Sequence, residues 1–427
     1  MPPVFRFIVR RFSLALILIA STALFAGAAE ARPGPCYKPA AAVGCDVSNG
    51  KVTYVADGDT FYVDLDGDRS KAHIPVRVTG INAMEQSVYS RVASRRVGEC
   101  HALEATARLE RLLKRAKWRV RLTSLSPTAR SGIRLRRSVS VKIKRRWIDL
   151  GQTLMREGHA LWLPNPKENA WNADYARQGE YAASLRRGIW NPTYCGIGPN
   201  DTSQLQVTVN ADQRFSGGEW VRVRNLDPVN TLPLGGWWLR DAALNRYTFP
   251  SWVVLPPGET LTVYVGEGVD TFTELFWNLP KTVFDNAGGT SMGDGAYLFD
   301  PQGDLRSYMT YPCVRACADP YAGAVKVTAK PSGREYVTVQ NVAAFAIDLN
   351  GYRLESPPFG YAFPRGSVLQ PGESMRVWIT GDPAEDTALE KYWGETGAIL
   401  NNGGDKVRIS SFRGIVLDCY TYGSGTC

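Results

Sequence analysis

The chain has 427 residues, 44% hydrophobic and 21% charged, with 50 Lys/Arg against 41 Asp/Glu and a formal charge of +9. That length is too great for one compact core, so two or three domains are expected. Past residue 31 no stretch is apolar enough to cross a bilayer, which excludes a helical membrane protein.

Arg6, Arg10 and Arg11 form a basic start, Phe12 to Gly27 is an almost unbroken apolar run, and Ala29-Glu30-Ala31 has the small-x-small form of a signal-peptidase site. Residues 1–31 read as a secretory signal cleaved after Ala31. General secretion is preferred to the twin-arginine route, because the residues around Arg10-Arg11 match that signal poorly. Cleavage removes three arginines and Glu30 and leaves a charge of +7 on a secreted, extracellular chain. All eight cysteines follow the cleavage point, an even number that in an exported chain points to disulfides. Pairs Cys36–Cys45, Cys100–Cys195, Cys313–Cys317 and Cys419–Cys427 are expected among the 105 pairings that eight cysteines allow. Zinc at Cys313-x-x-x-Cys317 is disfavoured, since no second Cys/His pair at ligand spacing accompanies it.

Residues 45–197 mix strands and helices. Val52–Val55 and Thr60–Leu65 read as strands, and the Asp66-Gly67-Asp68 turn leads to a third at Ile74–Thr79. The spacing of Asp64, Asp66 and Asp68 suits a hairpin tip, not a calcium loop, because no closing Glu follows. A helix is expected over 98–116, with Ala102, Ala105, Leu109, Leu112 and Leu113 on one side and Arg108, Arg111, Lys114 and Arg115 largely on the other. Strands are expected over 118–125 and 138–143, and helices over 150–158 and 172–187, both closed by glycine. That order fits a five-stranded OB-fold barrel with three helices, an α+β unit within a β-rich multidomain chain. Residues 91–147 carry 18 Lys/Arg against 3 Asp/Glu, a field whose natural partner is a polyanion such as DNA or RNA.

Near that field, Asp57-Gly58-Asp59-Thr60 and the segment from Arg77 to Glu85 place hard oxygens, a guanidinium and a lone carboxylate on neighbouring strands. Those are the parts of a phosphodiester hydrolase: a cation site, a base for water and an arginine for developing charge. No Ser or Cys nucleophile with partner His and Asp is apparent, which argues against an acyl hydrolase. His73, His101 and His159 have no metal or triad spacing and read as structural.

From about residue 200 helical periodicity almost vanishes and the chain repeats itself. Gly218-Glu219-Trp220-Val221…Asn225 aligns with Arg334-Glu335-Tyr336-Val337…Asn341, Leu234-x-Gly236-Trp237-Trp238-Leu239 with Leu349-x-Gly351-Tyr352-Arg353-Leu354, Phe249-Pro250 with Phe363-Pro364, and Leu255-x-Pro257-Gly258-Glu259 with Leu369-x-Pro371-Gly372-Glu373. The offset of 114 to 116 suits tandem β-sandwiches over 200–317 and 320–427. Trp220, Trp237, Trp238, Tyr336 and Tyr352 read as core aromatics of the two sandwiches.

Residues 50–195 resemble the thermonuclease (staphylococcal nuclease-like) family through Asp57-Gly-Asp-Thr60, the Arg77…Glu85 segment, the basic helix at 98–116, Gln152 to Ala160 and Arg187-Gly-Ile-Trp190. The repeats resemble lamin tail domains, immunoglobulin-like sandwiches. The first resemblance implies a secreted, metal-dependent nuclease with calcium, or another divalent cation, on Asp59, Asn82 and the carbonyl of Ala83. It assigns Glu85 as general base and Arg77 as the first phosphate-binding arginine, with Asp57 as a carboxylate near the metal ligands and Thr60 orienting the turn. Arg137 is taken as the second arginine, with Arg136 its rival; Arg134 and Arg136 would contact nucleic acid, and Trp162 would stack on a base or sit in the core or rim. Substituting Arg77 by Ala or Glu85 by Gln is expected to abolish cleavage and spare folding. Asn82 departs from the family's acidic ligand and Ala83-Met84 from its Thr-Pro, so the alternative is an inactive extracellular nucleic-acid-binding or adhesion protein. The sandwiches read as tethers to nucleic acid, cell envelope or a protein partner.

Overall fold

The computed structural model describes residues 46–164, 172–196, 204–212, 218–285, 287–288, 291–313 and 318–427. The secretory-signal segment and Cys36, Cys45 and Cys317 lie outside the described residues. Alternating β-branched residues build the first unit. Its strands are β1 (Asp46–Val55), β2 (Thr60–Leu65), β3 (Ile74–Val78), β4 (Ile81–Asn82), β5 (Gln86–Val88), β6 (Val97–Gly98), β7 (Arg119–Ser124), β8 (Arg130–Ser131), β9 (Arg134–Ile143), β10 (Arg146–Asp149) and β11 (Leu161–Trp162). Strands β1, β2, β3, β9 and β7 close into a barrel, antiparallel throughout except for the parallel β3–β9 pair. The residue pairs Phe61/Val63, Val76/Val78, Val120/Leu122 and Val139/Val141 sit two apart on their strands and share one core.

Three helices cover the barrel: α1 (Ala102–Arg115), α2 (Leu150–Glu157) and α3 (Asn172–Ser184). α1 buries Ala102, Ala105, Leu109, Leu112 and Leu113, and its Lys114 and Arg115 face the negative end of the helix dipole. Truncating a buried leucine such as Leu109 to alanine costs about 2–5 kcal/mol. α1 starts later than its periodicity suggests, because Gly98 pairs with Gln86 and His101 adopts a left-handed φ of 67°. Asp149 caps α2 by accepting from the Gln152 N–H, and Gly158 ends it at φ 78°. β9 begins at Arg134, four residues before the expected start, which brings Arg134, Arg136 and Arg137 into the ladder. Cys100 and Cys195 are joined, tying the start of α1 to the end of this unit, and Cys419 is joined to Cys427.

Both repeats are immunoglobulin-like sandwiches with the same strand order. In the first, one sheet runs Leu205–Asn210, Trp220–Asn225, Thr260–Tyr264, Glu274–Phe276; the other runs Arg246–Thr248, Trp238–Arg240, Asp294–Phe299, Leu305–Tyr311. The repeated glutamate has one task in each: Glu219 accepts from the Val283 and Phe284 N–H groups, and Glu335 from those of Ile399 and Leu400. The repeated asparagine does likewise, Asn225 donating to the carbonyls of Asn230 and Leu255, Asn341 to those of Phe345 and Leu369.

Not all the aromatics expected in the cores are there. Trp237 and Tyr352 are, but Trp238 joins a separate apolar cluster with Met84, Ala102 and Leu161 of the barrel unit. Trp220 donates its indole N–H to Asn350 of the second sandwich, and Tyr336 is half-buried beside Trp378. Strand alternation points some aromatics outward, where a neighbouring domain covers them.

Candidate functional site

The Asp57–Thr60 turn is held by its own side chains. Asp57 Oδ1 accepts from the Asp59 N–H at 3.0 Å, and the Ala56 N–H donates to the Thr60 carbonyl at 2.9 Å. Glycine is required at 58 for space: an added Cβ would fall 2.6 Å from the Ala105 Cβ and 2.8 Å from that of Ala83. The turn is thereby wedged between α1 and the 82–85 segment, which aims Asp59 at the latter. Asp59 Oδ2 accepts from the Ala83 N–H at 3.0 Å and pairs with Arg77 Nη2 at 3.0 Å; its Oδ1 accepts from the Thr60 hydroxyl at 2.8 Å. Arg77 Nη2 also donates to Asn82 Oδ1 at 2.8 Å. Asp59 and Arg77 are 2% and 6% exposed.

Glu85 stands at the open edge of this cluster, half-buried. Partial burial and then Asp59 push its carboxyl above the usual range, opposed by Arg77 and Arg240. Burial, then Asp59, push Asp57 up to about 7, with Glu85 adding to the rise. Three carboxylates thus share one neighbourhood with the buried Arg77, which pairs with Asp59.

Strand geometry decides which arginines join. Val76 and Val78 are fully buried, so their ladder partners Leu135 and Arg137 point to the core side, while Arg77 and its partner Arg136 point the other way. Burial, then Arg77 and Arg134, hold Arg136 below its usual range, and Arg77 and Arg136 line one recess. Arg134 donates to Thr60 Oγ1 at 3.2 Å. Arg137 is not brought to the site. It is buried with its guanidinium on the carbonyls of Pro127, Ala129 and Arg136, 3.8 Å from Asp46. Trp162 is not at the rim either: it pairs with Ile81 across β4–β11 and is 4% exposed in the barrel core.

The oxygens of Asp59, Asn82 and Ala83 do not fit calcium. The ion takes six to eight oxygens at a common point. Between Asp59 Oδ2 and Asn82 Oδ1 stands Arg77 Nη2, itself cationic and bonded to both. Ala83 meets Asp59 through its N–H, a donor that a cation cannot use. Asn82 brings no charge, and its Nδ2 donates to the carbonyl of Ala242 at 2.8 Å. Elsewhere, Cys100, His101, Cys195 and Asp304 bring ligand atoms within 4.8 Å of one another, but the two sulfurs form a disulfide and are not thiolate donors.

Ala242 belongs to the first sandwich. The family model described as Lamin Tail Domain matches residues 199–313 and 322–424, more than half of the chain. The chain belongs to the lamin tail domain family. No curated protein matches it. Both matched segments lie beyond the barrel, and the first lamin tail domain presses on the barrel beside the candidate site. Its Arg240 is buried, with Nη1 3.9 Å from Met84 Sδ and Nη2 donating to the Ala242 carbonyl at 3.4 Å. Arg246 lies 3.9 Å from Glu99, whose other oxygen accepts from the Glu85 N–H at 3.1 Å. These residues, and Tyr89, escaped the sequence reading. Tyr89 is half exposed, and its hydroxyl is pushed up by partial burial and by Glu85, Asp57 and Asp59. No local pattern marks a partner 160 residues away.

Proposed function

We propose that the barrel unit is a thermonuclease-like OB-fold module that binds nucleic-acid phosphodiesters and hydrolyses them, in an exported chain tethered by its lamin tail domains. One observation carries this reading: Arg77 and Arg136 lie side by side on parallel strands, Arg134 adjoins them, and Glu85, its carboxyl raised above the usual range by burial and Asp59, neighbours the same cluster. A phosphate entering from the open edge would meet the guanidinium groups of Arg134 and Arg136 first, with Arg77 beneath. Glu85 would take a proton from a water attacking phosphorus in line with the leaving 5′ oxygen, whose own proton comes from solvent. The arginines would hold the added charge of the five-coordinate transition state, commonly the larger contribution to rate. The basic segment from Arg91 to Trp147 would supply long-range attraction for DNA or RNA.

A second reading has its own support. Asp59 and Arg77 are buried, and both ends of the Asn82 amide are committed to protein partners, which suits a module that binds nucleic acid without cutting it. Incubating the protein with plasmid, single-stranded DNA and RNA, each with calcium and with chelator, separates the two. Degradation supports the nuclease; salt-sensitive binding without products supports the binder. Loss of cutting on chelation would place a divalent cation in the reaction. The partner of the lamin tail domains on this reading is nucleic acid, the cell envelope or another protein, by analogy of fold alone.

A further inference from the structure

We propose that Asn82 is a docking residue rather than a metal ligand: its side-chain amide pins the first lamin tail domain to the barrel and makes that domain a wall of the candidate site. The amide's orientation is fixed by chemistry. Arg77 can only donate and the Ala242 carbonyl can only accept, so Oδ1 must face Arg77 and Nδ2 must face Ala242. An aspartate at 82 would set a carboxylate oxygen against that carbonyl with no proton between them. The neighbouring domain therefore selects asparagine here, which accounts for the departure from an acidic ligand in physical terms.

The pin is one of three contacts along a short segment. Asn82 meets Ala242, Met84 meets Arg240, and the Glu85 N–H is held by Glu99, itself close to Arg246. The Ala242 carbonyl accepts from both domains, from Asn82 and from Arg240. Asp59, Arg77, Asn82 and Ala242 thus form one continuous polar chain across the domain boundary, nearly sealed from solvent at Asp59, Arg77 and Asn82. Release of the sandwich would free the Asn82 amide and loosen the segment that carries Glu85. The consequence for cleavage rests on the proposed nuclease reading; the docking role does not.

The test is amide hydrogen exchange on the full-length oxidised protein, comparing wild type with Asn82→Asp and Asn82→Ala. Asn82→Asp should raise exchange tenfold or more in peptides spanning 82–86 and 240–245, with α2 and the second lamin tail domain unchanged. Asn82→Ala, which removes the donor without adding charge, should raise the same peptides less and serves if the aspartate variant does not fold. Unchanged exchange at both segments in a folded variant would overturn the docking role. A wild-type protein that cuts no nucleic acid would remove the nuclease reading and leave the exchange result standing.

Discussion

Arg77→Ala should unfold the barrel more readily than any loss of catalysis would require. Arg77 Nη2 is 3.0 Å from Asp59 Oδ2 and 2.8 Å from Asn82 Oδ1, and neither carboxylate nor guanidinium has appreciable contact with solvent. Removing one partner of a buried pair leaves an uncompensated charge and costs about 3–5 kcal/mol. Asp59 keeps two donors, the Thr60 hydroxyl and the Ala83 N–H, and Arg136 is relieved of a like charge, so the lower end applies. A loss of about 3 kcal/mol raises the unfolded fraction roughly a hundredfold, since about 1.4 kcal/mol is a factor of ten. Urea unfolding followed by exchange of the α1 amides reads the barrel apart from the sandwiches. Asp59→Asn placed in the Arg77→Ala background should recover at least half of the loss, because it removes the stranded charge. A single-variant loss under about 1 kcal/mol, or no recovery in the double variant, would refute the buried pair as a support of the fold. This geometry argues against the sequence-based expectation that Arg77→Ala spares folding, and lost cleavage in that variant alone would not identify a catalytic group.

The remaining predictions concern pH and the choice of arginine. Asp57 has an ordinary carboxyl value of 3.8 and is pushed up to about 7 by burial and by Asp59. The fold favours its protonated form, so that contribution to stability is complete below about pH 4 and is lost as pH rises through about 7. Asp57→Asn, which can still accept from the Asp59 N–H, should melt higher than wild type at pH 8 and gain nothing at pH 4; parallel pH profiles would contradict this. Arg136→Ala should weaken nucleic-acid binding and its salt dependence with little change in melting temperature. Arg137→Ala should do the reverse, since its guanidinium holds three carbonyls. If Arg137→Ala abolished binding at wild-type stability, the strand assignment of the two side chains would be wrong.

Much of the fold was legible because it is written locally. Val139, Val141 and Ile143 alternate inward as their spacing requires, Gly158 ends α2, and the repeated Glu and Asn of the sandwiches do the same work at Glu219 and Glu335, Asn225 and Asn341. The site was legible only in part. Asp59, Arg77, Asn82 and Glu85 come together, but the second arginine depended on where β9 begins. Extending the strand from Ser138 back to Arg134 carries its alternation to both, so that Arg137 shares the inward face of Val139 and Val141 while Arg136 pairs beside Arg77. Trp162 was ambiguous because a tryptophan before a loop has the same sequence signature in a core and at a rim. The fate of Asn82 was hidden altogether, since its partner is a backbone carbonyl in another domain and carries no residue type to read.

The most direct measurement compares wild type with Glu85→Gln on single-stranded DNA and RNA, following both cleavage and binding. Glu85 has neighbours that repel its charge, Asp59 first among them, so the neutral variant keeps its fold. The nuclease account predicts at least about a hundredfold loss of cleavage with affinity and salt dependence preserved. Cleavage at the wild-type rate by Glu85→Gln would contradict it.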